Sequence, residues 1–362
     1  MPLEIRADIV GSLLRPPALK AALSGKGKAT EEEIRRLGDQ AVIDAIKLQE
    51  SVGLKVITDG ELRRRVFMIT WASLEGFSSI SDRAHWKGPD GKAIVGEQRQ
   101  VVTSPIKVKR QIAQDEFAFL RKHTSRWTKY TIPAPSMGRG RWHKEYSREA
   151  YPRVEDFLYA VRDYTRNVVL ELAAMGCDYI QLDAPIYADI ADAEYRRSMA
   201  DLGSAYGENL AFDAELDNSV FEGLKGITTA IHLCRGNNAG RWLASGSYDA
   251  IASQLFPRLK MDRLLLEFDS PRAGGFEPLK YVSKDTVAVL GLITTKSGKL
   301  EDRDALQTRI REASKYHDFD RLAVSPQCGF ASSLEGNPLT IEDQEAKLRL
   351  VVDIAQEVWG SP

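Results

Sequence analysis

The sequence predicts an α/β fold and, within that class, a single (β/α)8 TIM barrel that takes in residues 1–362. Three observations support this prediction. Short apolar runs rich in β-branched residues recur along the chain, helical periodicity fills several of the intervals, and the runs number eight. Strands that alternate with helices indicate βαβ units and a parallel sheet, and eight such units in a chain of this length indicate a closed barrel. A doubly wound open sheet is the alternative.

The predicted strands are apolar runs of four to eight residues, and the first is stopped by a pair of prolines, which cannot continue a strand. In chain order they are 8–12, 54–58, 130–133, 177–183, 227–234, 264–267, 286–293 and 322–326. There is no Gly-x-Gly-x-x-Gly after the first strand and no Walker sequence, so neither a dinucleotide fold nor an ATP fold is indicated.

Helical spacing of apolar residues predicts helices over 31–52, 154–175 and 341–359, and another within 207–226. Residues 74–110, between the second and third strands, have no helical period and are rich in Ser, Gly, Asp and Val. This composition predicts a hairpin-like insertion. An unusually long loop, 134–143, follows the third strand, and long loops in compact domains are often functional.

The composition excludes several classes of protein. A net charge of -1 gives no reason to expect nucleic acid or an anionic membrane as a partner. The chain has no run of 18 apolar residues, so we expect no membrane span, and its start lacks the pattern of a signal peptide. Three cysteines argue against a disulfide scaffold and for a reducing compartment, so we expect a cytoplasmic protein. The sequence leaves open whether the protein forms a homo-oligomer.

Side chains capable of chemistry follow the predicted strands, and in a barrel the active site lies at the carboxyl ends of the strands. His232 and Cys234 lie two apart on one strand and therefore project to the same face. Zinc prefers such nitrogen and sulfur ligands together with carboxylate oxygens. The alternative is a pair of buried cysteines, a satisfied histidine and a helix-capping glutamate. The candidates expected at one rim are Ser12, Asp59, Glu61, Asp183, His232, Cys234, Glu267 and Cys328.

A zinc ion bound by two thiolates and an imidazole can hold a further thiolate, because metal binding deprotonates a thiol and the thiolate is the nucleophile. We therefore expect alkyl transfer to a substrate sulfur, with Asp183 and either Asp59 or Glu61 holding a substrate ammonium. Cys177 begins its strand at the opposite end of the barrel and is expected to pack in the core. The arginines at 63–65 form either a solvated face or a contact for an anionic substrate.

Six motifs occur in the order of one family between residues 10 and 330, so the chain resembles the catalytic domain of cobalamin-independent methionine synthase, most closely its short single-barrel relatives. The resemblance implies zinc on His232, Cys234, Glu267 and Cys328. It also places Ser12, Glu61 and Asp183 at positions that hold homocysteine, with Asp183 and Glu61 as the catalytic candidates. The motifs are Val-Gly-Ser-Leu-Leu-Arg-Pro, Thr-Asp-Gly-Glu, Ile-Gln-Leu-Asp-Ala-Pro, His-Leu-Cys, Leu-Leu-Glu and Ser-Pro-Gln-Cys-Gly-Phe.

Departures from this family concern the methyl donor. There is no room for the second barrel that helps full-length enzymes to hold polyglutamyl folate, and the family's Asp-Glu-Pro is Asp183-Ala184-Pro185 here. The tryptophan expected to stack on folate near the third strand is not evident, unless Trp142 replaces it. We therefore expect a smaller or corrinoid-bound donor such as methylcobalamin to serve better than methyltetrahydrofolate.

Two other functions fit the sequence. Short relatives include enzymes that transfer an epoxide-derived alkyl group to coenzyme M, whose sulfonate could meet the arginines at 63–65 or Arg235. A non-catalytic or corrinoid-linked zinc barrel that handles methyl groups is the other alternative. The related uroporphyrinogen decarboxylase barrel needs no metal, and the His-x-Cys motif with Cys328 argues against it.

Overall fold

A parallel sheet surrounded by helices is the frame of the molecule. The computed structural model describes residues 3–25, 29–88, 92–201, 203 and 209–362. The strands assigned within those residues are β1 (Val56–Ile57), β2 (Leu74–Lys87), β3 (Ala93–Val108), β4 (Trp127–Pro133), β5 (Tyr179–Asp183), β6 (Thr228–Leu233), β7 (Arg263–Glu267), β8 (Val287–Ile293) and β9 (Leu322–Pro326).

In the described residues, seven of these strands form one parallel sheet in the order β1-β4-β5-β6-β7-β8-β9. A doubly wound sheet reverses its strand order at a switch point, whereas this order follows the chain. The α/β class with a parallel sheet is therefore confirmed, and the doubly wound alternative loses its support. The register places Pro133, Asp183 and His232 side by side at the carboxyl ends of β4, β5 and β6.

Helices cover the outside of the sheet and bury their apolar faces against it. The last helix has the predicted limits because Thr340 forms a capping box with Asp343 and the left-handed Gly360 ends it. The predicted helix within 207–226 occupies ten residues; positions 207 and 208 of that range lie outside the described residues. The helices are α1 (Pro17–Leu23), α2 (Glu31–Ser51), α3 (Ile112–His123), α4 (Val154–Ala174), α5 (Pro185–Ala191), α6 (Ala193–Asp201), α7 (Leu210–Ser219), α8 (Asp249–Leu255), α9 (Arg303–Ala313) and α10 (Ile341–Trp359).

The inner face of the sheet has a core of its own. Buried side chains from β1, β5, β6, β7, β8 and β9 pack there with Ile5 and Val10 of the N-terminal segment. That segment joins the sheet next to β9, where Asp8 N donates to Val324 O at 2.9 Å and Val324 N donates to Arg6 O at 2.8 Å. The N-terminal segment therefore lies along the edge of the sheet and helps to enclose its interior.

The predicted first strand, 8–12, is wrong, because within the described residues this segment forms only an isolated bridge at Ala7 with Val324. The physical reason is that its backbone carbonyls bind side chains. Lys129 Nζ donates to Ile9 O, and Gln181 Nε2 donates to Val10 O at 3.0 Å. These side chains occupy the acceptors that a strand would offer to a neighbouring strand.

The predicted hairpin insertion is confirmed, since β2 and β3 pair in antiparallel fashion; positions 89–91 of the predicted range lie outside the described residues. The end of the hairpin reaches the loop after β6. There Lys87 N donates to Trp242 O at 2.7 Å and Trp242 N donates to Lys87 O at 2.9 Å. The predicted loop 134–143 instead contains a 3₁₀ helix, Pro135–Arg141.

No helix among the described residues combines the length and the apolar composition needed to span a membrane.

Candidate metal centre

Three of the four predicted zinc ligands come together in the structure. One nitrogen or sulfur atom from each of His232, Cys234 and Cys328 lies within 4.8 Å of the others, and all three side chains are buried. The two Sγ atoms are 3.8 Å apart. His232 lies in β6, Cys234 directly follows β6 and Cys328 follows β9, so the carboxyl ends of two strands bring the group together.

Amide side chains hold the two cysteine-bearing loops against each other. Asn237 Nδ2 donates to Gly329 O at 2.7 Å, which links the loop after Cys234 to the residue after Cys328. Asn337 Oδ1 accepts from Gly240 N at 2.8 Å, which joins the same two loops a second time. Neither asparagine is among the predicted site residues, and each carries a structural role that no motif signals.

The imidazole of His232 is oriented for metal binding. Its Nδ1 lies 3.3 Å from Leu265 O, and its Nε2 is buried without a hydrogen-bond partner in the described residues. A metal-bound histidine usually donates its other ring N–H to a carbonyl or carboxylate, which fixes the tautomer. A buried acceptor left unpaired is costly, so the free Nε2 beside two thiols fits a resident cation such as zinc.

The thiols are also suited to a cation. The hydrogen bond between the Cys328 and Cys234 sulfurs, together with His232, holds the pKa of Cys328 well below its ordinary value even though burial opposes this shift. A lowered pKa favours the thiolate, which is the form that binds metal. The arrangement therefore favours an anionic sulfur at Cys328.

Glu267, the fourth predicted ligand, lies outside this group of three. Its Oε2 accepts from Arg235 N at 2.6 Å, its Oε1 pairs with Arg272, and Lys296 Nζ is 3.9 Å from Oε1. Burial raises its pKa, but Lys296, Arg272 and Arg235 outweigh burial and lower the pKa to about 2. Glu267 is therefore an ionised carboxylate held next to Cys234 through the backbone of the following residue, and its binding to zinc stays a prediction.

A second group of predicted residues lies around Glu61. Ser12 Oγ donates to Glu61 Oε2 at 2.6 Å, and Thr131 Oγ1 donates to Oε1 at 2.5 Å. Glu61 N donates to Asp59 Oδ1 at 2.9 Å, while Asp59 Oδ2 is buried without a partner in the part of the chain described. The structure thus brings Ser12, Asp59 and Glu61 together as predicted.

The backbone of Glu61 has a φ of 53°, in the left-handed region that non-glycine residues rarely adopt. Arg15 holds this turn, because its guanidinium donates to the carbonyls of Glu61, Arg64 and Ala331. Strained residues at such positions cluster at functional sites. Arg15 belongs to the first motif of the sequence, where its spacing from Ser12 could have signalled this role.

Asp183 is the last of the predicted site residues at this end of the sheet. Its side chain is buried at the end of β5, beside His232 in the register, and Gln181 Nε2 donates to Oδ1 at 2.6 Å. Burial raises its pKa to about 7, an effect that the charge of His232 opposes and the charge of Glu61 strengthens. The Oδ2 atom makes no hydrogen bond within the described residues, so it can accept from a ligand.

Three of the four arginines predicted to contact an anion make contacts within the protein. Arg64 is fully buried and pairs with Glu116 at 3.0 Å, and Arg63 pairs with Asp39 at 2.6 Å. Arg235 is also buried, and its guanidinium donates to Gly246 O and Ala273 O. These three arginines make structural contacts, whereas Arg65 is exposed and its contact with an anion stays a prediction.

Other residues singled out from the sequence lie apart from the metal group. Cys177 is buried, and its thiol donates to Tyr179 O at 3.3 Å, which confirms core packing. His143, the last residue of the predicted loop 134–143, packs against Tyr146. Trp142 is 7% exposed inside an apolar cluster, so it is not a stacking platform at the site.

Comparison with known proteins shows that the chain is similar to members of one protein family. Residues 10–357 match the family model described as "Cobalamin-independent synthase, Catalytic domain". The proteins YxjG and YxjH of Bacillus subtilis (strain 168) are each 36% identical to this chain over 98% of its length and 94% of theirs. Methionine synthase of Saccharolobus solfataricus is 24% identical over 89% of this chain and 86% of its own.

Solved structures share the fold. A candidate vitamin-B12-independent methionine synthase from Listeria monocytogenes superposes with a TM-score of 0.76 at 28% identity, and the match covers 100% of both chains. A B12-independent methionine synthase from Shewanella sp. W3-18-1, in complex with selenomethionine, has a TM-score of 0.72 at 21% identity over 97% of this chain and 96% of its own.

Proposed function

The chain belongs to the cobalamin-independent methionine synthase family, a family of methyltransferases, and from this premise we propose that it transfers a methyl group to the thiol of homocysteine at a zinc site. The observation that carries the proposal is the unpaired Nε2 of His232 beside two thiols 3.8 Å apart. Such a donor set matches the nitrogen and sulfur ligands that zinc takes in proteins.

His232, Cys234 and Cys328 would hold the zinc, with Glu267 as the predicted fourth ligand. When bound, zinc keeps an added thiol in its thiolate form at neutral pH, and the thiolate is the nucleophile. The lowered pKa of Cys328 favours the anionic sulfur that a metal takes as ligand. The three cations around Glu267 keep its carboxylate charged and fixed in place.

Asp183 would bind the ammonium of homocysteine. Its Oδ1 is taken by Gln181, which leaves Oδ2 for a charge-assisted hydrogen bond from the substrate. Glu61 would act through its neighbours, because its two oxygens fix Ser12 and Thr131 at the edge of the same site. In this arrangement Asp183 would orient the amino acid, with its thiol directed toward the cysteines.

The transfer itself is a displacement. The sulfur of the acceptor forms the new bond to the methyl carbon with its own electron pair. The bond between the methyl carbon and the donor breaks, and the donor keeps that pair. The chain's own groups align the two partners, which accounts for much of the catalysis in reactions of this kind.

We infer that the sheet closes into the predicted eight-fold barrel through the N-terminal segment. This segment bonds to β9 on one side, and further along the chain Leu13 N donates to Gly60 O at 2.9 Å beyond β1 on the other. Its side chains Ile5 and Val10 lie in the interior core. The segment thus takes the place of the eighth strand.

For the donor, we propose a smaller or corrinoid-bound methyl group rather than polyglutamyl folate. The expected stacking tryptophan after β4 is not evident in the sequence, and Trp142 is buried. Transfer to coenzyme M has less support, because Arg63, Arg64 and Arg235 already make contacts within the protein, which leaves the exposed Arg65 as the remaining predicted contact for a sulfonate.

The test is methionine formation by the zinc-loaded protein from homocysteine with methylcobalamin or methyltetrahydrofolate. We expect turnover with zinc, faster with methylcobalamin, and loss of turnover in Cys328→Ser. The matched control is Cys177→Ser, which removes a buried thiol outside the site and should keep its activity. Absence of methyl transfer with either donor would favour a non-catalytic barrel, and transfer only to coenzyme M would favour the other alternative.

A further inference from the structure

A cleft opens at the rim of the sheet, between the loops that follow β7 and β8 and the first turns of α9. Its volume is about 650 Å³. Leu292 of β8 and Leu306 of α9 line it, and both are buried in the core between the sheet and the helices. The cleft therefore has an apolar wall and lies outside the interior of the sheet.

Asp269, which follows β7, is a buried acidic side chain of this cleft. Its side chain is 2% exposed, and its Oδ2 lies 3.5 Å from Lys296 Nζ. Its Oδ1 is buried without a hydrogen-bond partner in the described residues. A buried acceptor without a donor is costly, so one carboxylate oxygen at the cleft is left for a ligand that donates.

Arg309, on α9, is a basic side chain of the same cleft. Its guanidinium lies 5.2 Å from the centroid of the Phe276 ring, and it makes no hydrogen bond or ion pair within the part of the chain that the structure describes. Burial lowers the pKa of Arg309, although the charges of Glu312 and Asp269 oppose this shift. A guanidinium stays protonated in proteins, so Arg309 is a half-buried cation left for an anionic group.

Two hydroxyl groups add to the donors of the cleft. Ser297 Oγ accepts from Lys299 N at 3.2 Å, and Thr294 Oγ1 accepts from Lys296 N at 3.3 Å. Neither hydroxyl donates a hydrogen bond to another described residue, so each keeps its proton for an acceptor on a ligand.

Asp269 and Arg309 line one cleft, and in the described structure they form no ion pair with each other. A ligand with a single charge would satisfy one of them and face a like charge on the other. An ammonium on Asp269 and a carboxylate on Arg309 would satisfy both through charge-assisted hydrogen bonds. We propose that this cleft binds a zwitterionic α-amino acid whose apolar side chain packs on Leu292 and Leu306. This site goes beyond the proposed function and uses none of the side chains assigned to that reaction.

Lys296 lies between the cleft and the metal group. Its Nζ is 3.5 Å from Asp269 Oδ2, and it donates to the Oε1 atom of Gln327, the residue before Cys328, at 2.6 Å. Lys296 thus holds Asp269 in place through one oxygen only. The cleft and the metal group are neighbours with separate sets of binding groups, so each can be tested while the other is varied.

The experiment measures binding of L-methionine by equilibrium dialysis to the zinc-loaded Asp183→Asn protein, in which the ammonium site next to the metal group is weakened. In this background the cleft variants are Asp269→Asn and Arg309→Gln. The matched controls are Asp304→Asn and Arg311→Gln, which change exposed side chains of α9 that do not line the cleft. L-methioninol lacks the carboxylate, 4-(methylthio)butanoate lacks the ammonium, and glycine keeps both charges without an apolar side chain.

We expect the Asp183→Asn protein to bind about one methionine per chain. Each cleft variant should weaken this binding, because a hydrogen bond to a charged group changes affinity by about 10- to 150-fold. The controls should bind methionine as the Asp183→Asn protein does, and glycine and both analogues should bind about 10-fold more weakly or worse. Arg309→Gln removes a half-buried side chain without a partner, so it tests the cleft even if Asp269→Asn, which also loses its pairing with Lys296, does not fold.

The inference is overturned if the Asp183→Asn protein binds no methionine, if Arg309→Gln keeps its affinity within about twofold, or if the controls lose as much as the cleft variants. It is also overturned if glycine or either analogue binds as tightly as methionine. The proposed function fails in a different way. If methionine binds through Asp269 and Arg309 but no donor methylates homocysteine, the cleft stands and the assigned reaction does not.

Discussion

Removal of zinc should lower the melting temperature of the protein by several degrees, and a single sulfur-to-oxygen change should abolish this dependence. The metal would join Cys234 to Cys328, which are 94 residues apart in the chain and 3.8 Å apart in space. It would also satisfy the buried, unpaired Nε2 of His232. Because the unfolded chain does not hold these groups together, zinc would bind the folded state preferentially.

The size of the effect follows from mass action. A ligand present at about 1,000 times its dissociation constant stabilises the folded state by about 4 kcal/mol. The entropy of unfolding near the midpoint is about 2.1 cal/mol/K per residue, or roughly 0.8 kcal/mol/K for a chain of this length. The expected rise in melting temperature is therefore about 5 °C.

The assay is thermal unfolding, followed by fluorescence, in metal buffers that set the free zinc concentration. We expect the 5 °C rise in the wild type and in Cys177→Ser, and almost none in Cys328→Ser or Cys234→Ser. A wild-type melting temperature that does not depend on zinc would refute the reasoning. An equal rise in Cys328→Ser would show that zinc binds elsewhere.

Two further outcomes test the carboxylates. Asp183→Asn should weaken homocysteine about 100-fold or more, because it leaves a buried ammonium unpaired; zinc content should not change, and unaltered affinity in a calorimetric titration would favour an acceptor without an amine. Asp217 is buried, accepts hydrogen bonds from Tyr187 and Ser136, and has its pKa raised to about 7 by burial. Its folded-state pKa exceeds its ordinary value of 3.8, so its contribution to stability is complete below about pH 4 and is lost as the pH rises through 7. Within this window the free energy of unfolding of the wild type should fall by about 1.4 kcal/mol per pH unit because of Asp217, and Asp217→Asn, which resembles the protonated acid, should not show this fall. If urea unfolding from pH 5 to 8 gives free energies that change in parallel for the two proteins, the expectation is contradicted.

Much of the metal group could be predicted from sequence because parallel strands bring their carboxyl ends to one edge. The two-residue period of a strand predicted that His232 and Cys234 share one face. The position of Cys328 just after a strand predicted that it lies at the same edge. The hairpin and the last helix were predictable for a similar reason, since their signals are local. The capping box at Thr340 and the glycine at 360 mark that helix at both ends.

The environment of Glu267 could not be read from the sequence in the same way. Its three cations come from the residue after Cys234 and from the loops after β7 and β8, so the network exists only once the chain is folded. The same holds for Asn237 and Asn337, whose contacts link segments about 90 residues or more apart. No spacing rule connects such residues.

The first strand shows where a correct local signal can fail. Residues 8–12 are apolar enough for a strand, but Lys129 and Gln181 bind their carbonyls from other strands. Helix α9 was not predicted, because its local sequence signal is weak. Only Leu306, Ile310 and Ala313 of its eleven residues are buried, so its apolar stripe is narrow.

The most direct test of the central claim is X-ray absorption at the zinc edge of the loaded protein, with and without homocysteine. We predict two sulfur ligands and a histidine nitrogen in the free protein, and three sulfur ligands once homocysteine is added, with the added sulfur absent in a homoserine control. A sulfur count that stays at two when homocysteine is bound would contradict the assignment of this chain as an enzyme that activates a thiol on zinc.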